Sequence, residues 1–235
     1  EGFLDKFPET SLSPETFYTS EKELELATNG FYTMLPSPDN TTDGALQDND
    51  LEYHISLSSL QMGNRSAENE SWSSGTWSNL RALNYYLEHS VNCTSEDIRK
   101  KYDGVAYFFR AMFYYEKVRK YGDIPWYDHV ISANDKASLY RARDSRGFVM
   151  QKIMEDLDKA IDGLPVTWTE GVYRINKYAA YAFKSRVALF EGTWRKYHDV
   201  PDETYTKDDG TQLTLSSEYF LRQSADAAKA VIDYG

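Results

Sequence analysis

Trp72 stands in a run of Ser, Asn and Gly, with Asn64, Arg65 and Asn69 shortly before it. An indole ring offers a broad apolar face with a polar edge, and amides and a guanidinium supply hydrogen-bonding groups around it. That combination suits a sugar, whose C–H groups form an apolar face and whose rim is hydroxyl. Trp72, Asn64, Arg65 and Asn69 are therefore the candidate ligand-binding residues. Four carboxylates fall in the same region: Asp48, Asp50, Glu68 and Glu70. Two carboxylates at a set separation can hydrolyse a glycosidic bond, yet none of these stands in a recognisable catalytic context. No nucleophile elbow, phosphate-binding loop or dinucleotide fingerprint occurs. The residues describe a binder rather than an enzyme, with no catalytic residue and no cofactor.

Metal chemistry finds little support. Cys93 is the single cysteine, and His54, His89, His129 and His198 are scattered without ligand spacing. Asp48-Asn49-Asp50 lacks a calcium-loop pattern around it. Sequons begin at Asn40, Asn64, Asn69 and Asn92, as a Ser- and Asn-rich composition produces. The formal net charge is −11, with Lys and Arg interspersed rather than blocked. No basic footprint for nucleic acid or anionic lipid is visible, so neutral ligands or protein partners are expected. Aromatic residues reach 15% of the chain, including 19 Tyr and 5 Trp. Such rings serve a wet ligand surface as well as a core.

These residues need elements to position them. Residues 1–20, with two prolines, read as an extended leader. Thr19 or Ser20 then caps a helix with acidic residues in its first turn, and Leu24, Ala27 and Phe31 mark its apolar stripe to about residue 35. Residues 36–74 form a long polar loop, with Leu51–Leu60 as a short strand or irregular segment. From residue 76 onward the chain reads as helical. The expected helices cover about 76–91, 95–121 (capped by Ser95), 145–163, 176–197 and 216–234. Positions 104–115 are apolar nearly all round, which predicts a central helix. Gly122 and Pro125 stop it, and Gly163 with Pro165 stops the next in the same way. Helices paired by such stops about every 34–40 residues are the mark of tetratricopeptide-like hairpins. Alanines 179, 180, 182 and 188, then 225, 227, 228 and 230, supply close-packing positions. Arg110 and Arg119 can pair across helices with Asp123, Asp156 or Asp158; Tyr114, Tyr115 and Trp194 are read as packing residues.

A series of ordered blocks now resembles a known family. They are Gly2-Phe3-Leu4-Asp5 before Pro8; Glu23-Leu24-Glu25-Leu26-Ala27-Thr28-Asn29-Gly30-Phe31-Tyr32; and Trp77 with Asn84 and Leu87. Phe109-Arg110-Ala111, Tyr114-Tyr115 and Val118-Arg119-Lys120-Tyr121-Gly122-Asp123-Ile124-Pro125 follow, then Arg141 and Arg143, and Met154 to Ile161 before Leu164-Pro165. Asn176-Lys177-Tyr178-Ala179-Ala180 through Arg186-Val187-Ala188-Leu189 to Glu191-Gly192-Thr193-Trp194 closes the set. In this order they resemble the SusD/RagB family of nutrient-binding outer-membrane lipoproteins of Bacteroidetes.

The resemblance implies an all-α, SusD-like fold of tetratricopeptide-like hairpins with a long irregular N-terminal insertion. Residues 1–235 would be its N-terminal region, with the helical array over 76–235. It implies a cell-surface protein that captures oligosaccharides or other nutrients and passes them to a SusC-like TonB-dependent transporter of the outer membrane. The hairpin faces would dock that transporter. The membrane would be met only through an N-terminal lipid anchor, whose cysteine is absent from this chain. Family members are about twice as long, so the chain reads as an N-terminal portion. The alternative is a tetratricopeptide-like interaction scaffold without a glycan ligand.

Overall fold

The computed structural model describes residues 17–35, 62–64, 66, 74–169, 171 and 173–234. Most of the leader and of the 36–74 loop, including the expected segment at 51–60, lies outside the described residues. Within them the chain forms seven α-helices and one two-stranded hairpin.

Helix α1 (Glu21–Asn29) begins at a capping box. The Ser20 hydroxyl accepts from the Glu23 backbone N–H, and the Glu23 carboxylate takes the Ser20 and Thr19 N–H groups at 3.1 and 2.8 Å. Those backbone bonds hold Glu23 below the usual carboxylate range. A 3-10 turn, Gly30–Met34, extends the helix and buries Phe31. Helix α2 (Ser78–His89) is flanked by 3-10 turns Ser74–Trp77 and Ser90–Asn92.

Helix α3 (Glu96–Tyr121) is the central element that the apolar run predicts. It packs on α1, α2 and the later helix α5, so rings on several of its sides are buried, among them Tyr102, Phe109, Tyr114 and Tyr115. Ser95 occupies the N-cap position, but its side chain makes no capping bond. Gly122 ends the helix at φ +73°, a conformation that glycine adopts without a Cβ penalty.

A one-turn helix α4 (Lys136–Leu139) interrupts the next connection. Helix α5 (Arg146–Gly163) is capped by Ser145, α6 (Lys177–Tyr197) by Asn176 and α7 (Ser217–Ile232) by Ser216. Gly163 does not repeat the role of Gly122: it is still helical, and the chain turns extended at Leu164, just before Pro165. A Cβ on Gly163 would collide with the Lys100 carbonyl oxygen, and one on Gly104 would lie 3.0 Å from Leu164 Cγ. The two glycines let α3 and α5 cross in close contact. Gly192 does the same for α6 and α7, where a Cβ would fall 2.8 Å from Leu221 Cγ. Of the expected small-residue positions, Ala180, Ala188 and Ala227 are buried, while Ala179, Ala182 and Ala225 face solvent on the other side of their helices.

The fold is all-α as expected, and a small hairpin fills the connection between the helices expected at 176–197 and 216–234. Strands β1 (Glu203–Thr206) and β2 (Gln212–Leu215) pair antiparallel, with Tyr205 opposite Leu213. Alternating Thr and apolar residues around Asp208-Asp209-Gly210, where Gly210 takes φ +84°, carry this signal. Tyr205 and Leu215 are buried. Arg195 fastens the hairpin to α6: Nη2 bonds Glu203 at 2.7 Å, Nη1 the Leu215 carbonyl at 2.8 Å, and Nε Glu191 at 2.9 Å. Glu191 also receives Arg146 at 2.8 Å.

Candidate functional site

Of the four ligand-binding candidates only Asn64 is among the described residues; it is exposed, next to Gly63 at φ +68°. Arg65, Asn69 and Trp72 lie outside the described residues, as do Asp48, Asp50, Glu68 and Glu70. The chain leading from Trp72 enters the described structure at the 3-10 turn Ser74–Trp77, and Trp77 opens onto a groove.

This groove runs between α2 and the irregular chain after α3. It has a volume of about 400 Å³. Leu80, Val130, Ile131 and Leu139 make it apolar, Trp77 and Tyr127 give it rings, and Arg81, Asn84 and His129 bring polar atoms. The two rings meet edge to face, with centroids 6.2 Å apart. A shallower continuation of about 250 Å³ shares Trp77, Tyr127 and Leu139 and adds Pro125, Arg141 and Arg143. A larger groove of about 550 Å³ opens beside α1 and α2. There Tyr18 and Phe31 each pack edge to face against Tyr86. The Trp77 groove better matches an aromatic wall beside polar edges.

A wall without secondary structure needs other anchors. Arg110 on α3 provides them. Its Nε and Nη2 bind both oxygens of Asp156 on α5, at 2.7 and 2.8 Å. Burial works against the guanidinium charge, but Asp156 outweighs burial and raises the Arg110 pKa. The remaining nitrogen, Nη1, donates to Asn84 Oδ1 at 3.1 Å and to the Asp128 carbonyl. Asn84 Nδ2 in turn donates to the carbonyls of Tyr127 and His129, both at 3.0 Å. The Tyr114 hydroxyl accepts from the Tyr127 N–H at 2.6 Å, and the Tyr114 ring stacks on Trp126. Asp144 takes the Trp126 N–H, and Arg141 bonds both Asp144 and the Trp126 carbonyl. The groove wall is thus held by side chains from α2, α3 and the chain before α5.

Several side chains fall where the sequence places them. Arg110 pairs across helices, with Asp156 of the three acids considered, and Tyr114 and Tyr115 are buried packing residues. Others differ. Arg119 lies on the exposed side of α3 and binds Glu116 of its own helix. Asp158 pairs with Lys184, and Asp123 accepts the Arg146 N–H. Trp194 is 37% exposed, stacked on Phe190 and tilted against His198. Tyr127 and His129 carried no signal in the sequence, because the irregular chain around residues 122–144 has no period that assigns its side chains to a face. Among the described residues no group of three or more His, Cys, Asp or Glu is placed to hold a metal. No described helix is long and apolar enough to cross a membrane.

Comparison with known proteins places this geometry. A family model described as SusD-like, starch-binding, associating with the outer membrane, matches residues 2–189. Two curated SusD-like proteins of Formosa agariphila are each 26% identical, over 220 and 212 residues. The alignments cover 83% and 82% of this chain but 41% of each relative, so the chain spans under half their length. A SusD-like protein of Bacteroides fragilis superposes with a TM-score of 0.71 at 23% identity, covering 98% of this chain and 41% of its own. A SusD homologue of Bacteroides thetaiotaomicron gives 0.64 at 18% identity, with 97% and 43% covered. These structural likenesses establish the fold.

Proposed function

We infer function from one premise: this chain belongs to the SusD-like family. We propose that it captures glycan at the cell surface and passes it to a SusC-like TonB-dependent transporter of the outer membrane. It would be tethered there by an N-terminal lipid anchor. The observation that carries the reading is the match over residues 2–189 to a family described as starch-binding and associating with the outer membrane. One neighbour of the same fold is itself described as a SusD-like carbohydrate-binding protein.

Capture needs no bond to be made or broken. A sugar ring stacks its C–H face on an aromatic side chain, and amides and guanidinium groups bond its hydroxyls. The ligand-binding residues proposed are Trp72, Asn64, Arg65 and Asn69, and the groove at Trp77 offers a further aromatic wall. Affinity electrophoresis of the chain through gels containing plant, microbial and host polysaccharides tests this. Retardation by one polysaccharide is expected, with Trp72→Ala relieving it while the helical circular-dichroism signal is unchanged. Retardation by none, together with capture of peptide ligands, would favour an interaction scaffold. New reducing ends on a bound glycan would instead indicate an enzyme.

A further inference from the structure

Two grooves flank a single ridge of α2. Ser78 and Arg81, about one turn apart and both exposed, line the Trp77 groove and also the larger groove beside α1. From this ridge Leu80 and Asn84 face the first groove, while Asn79, Ala82 and Tyr85 face the second. Each has the size of a small-molecule site, at about 400 and 550 Å³. Each also has rings: Trp77 and Tyr127 in one, Tyr18, Phe31 and Tyr85 in the other. Leu26, itself exposed, and Met34 add apolar surface to the second groove. Arg81 stands between the two. Its Nη1 donates to the Ile131 carbonyl at 3.0 Å, and its Nε and Nη2 bond nothing among the described residues. The second groove is also built under constraint. Tyr18 has φ +68°, a backbone region that residues with a side chain seldom occupy, and such outliers gather at ligand sites. The Asn92 amide holds this turn through the Phe17 carbonyl at 3.1 Å, and the Tyr18 ring meets Tyr85 and Tyr86 at 6.4 and 5.7 Å between centroids.

We propose that the groove beside α1 is a second sugar-binding subsite, and that one extended glycan chain crosses α2 with units in both grooves. The proposal rests on the glycan-capture reading and names the substrate class for it: an oligosaccharide long enough to cross the ridge, not a mono- or disaccharide. In each groove an aromatic face would meet the C–H face of a sugar unit. At the ridge, Arg81 Nε and Nη2 would donate to hydroxyl or linkage oxygens of the unit between. The Ser78 hydroxyl gives its proton to the Gly75 carbonyl at 2.8 Å, so its oxygen is left to accept from a sugar hydroxyl. Once one groove is filled, the other is filled from the same chain, at a high effective concentration. An apolar groove would also take a hydrophobic protein segment. Its continuity with the Trp77 groove across two shared polar residues favours the sugar chain.

The test is calorimetric titration of the full chain with maltose, maltotetraose and maltoheptaose. Partial-hydrolysis fractions of matching lengths, from any polysaccharide that retards the chain in gels, are titrated in the same way. Affinity should rise with length, the longest oligosaccharide binding about a hundredfold more tightly than the disaccharide. Ala82 is exposed and lines only the second groove of the two, so Ala82→Arg fills that groove without touching the core. It should bring the longest oligosaccharide down toward the affinity of the disaccharide and leave the disaccharide unchanged. Tyr85→Leu, which removes one ring from the same groove, should weaken the longest by about two- to tenfold and again spare the disaccharide. Either variant serves if the other melts early. Affinity independent of length, or folded variants that bind the longest oligosaccharide as the wild type does, would overturn the second subsite and leave glycan capture standing. Absence of binding at every length, together with no retardation in the gel panel, would remove the capture reading itself.

Discussion

Two aspartates, Asp156 on α5 and Asp103 on α3, are treated in opposite ways. Asp156 is 1% exposed, and Arg110 holds both of its oxygens. Asp103, on α3, lies beside Tyr86 of α2 without a cation bonded to it; its Oδ1 and the Tyr86 hydroxyl are both buried without a hydrogen-bond partner. Burial pushes its pKa up to about 6, and Ser90, Arg99 and Tyr86 nearby do not offset it. The same chemical group is thus an anchor in one place and a strain in the other. Asp156, the more deeply buried of the two, has a guanidinium bonded to it; the half-buried Asp103 has none. The anchored aspartate serves the groove, because Arg110 carries its charge on to Asn84 and the chain after α3.

The sharpest way to break this contrast is Asp156→Ala. It strands a fully buried guanidinium, which costs about 3–5 kcal/mol. Melting should fall by roughly 10 °C or more, as for a domain of this size. Asp103→Asn should move the other way. An acid whose folded pKa lies above its unfolded value favours folding fully below the unfolded pKa, near 4, and loses that contribution as pH rises through about 6. Wild-type stability should therefore decline between pH 4 and 7. The asparagine variant should lack that decline and gain about 2–3 kcal/mol at pH 7, since its amide can donate to Tyr86. Chemical denaturation at pH 4.5 and 7 measures both. A wild type equally stable at the two pH values, with no gain at pH 7 in the variant, would show that Asp103 is solvated and the contrast false.

The residues behind this contrast were unequally legible. Arg110 stood in an apolar helix with three acids as candidates. Asp156 is the partner because Gly104 and Gly163 set where α3 and α5 cross, and a close approach of two backbones is hard to read from either helix alone. Helix starts were legible at Ser20, Ser145, Asn176 and Ser216, where local side-chain bonds decide the outcome. Ser95 had the right residue type without the bond. The ligand-binding candidates from Arg65 to Trp72 belong to a stretch with no periodic pattern, and the sequence chose them by side-chain chemistry alone.

The smallest effect is expected at the second buried arginine, and it refines what pairing must supply. Arg195 is 2% exposed and shares Glu191 with Arg146, while Glu203 meets it from the hairpin with its own side chain 33% exposed. Glutamine at 203 keeps an acceptor for Arg195 and gains a donor for the Ser145 hydroxyl, which now donates to Glu203 at 2.7 Å. Only the charge is lost, and it is lost where water screens it. Glu203→Gln should therefore cost about 1 kcal/mol or less, far below Asp156→Ala. If the two cost the same, charge itself would hold these arginines. If Glu203→Gln is nearly silent, what a buried guanidinium requires is one carboxylate at its core and acceptors for its remaining N–H groups, which Glu191 and the carbonyls of Leu215 and Pro201 already supply.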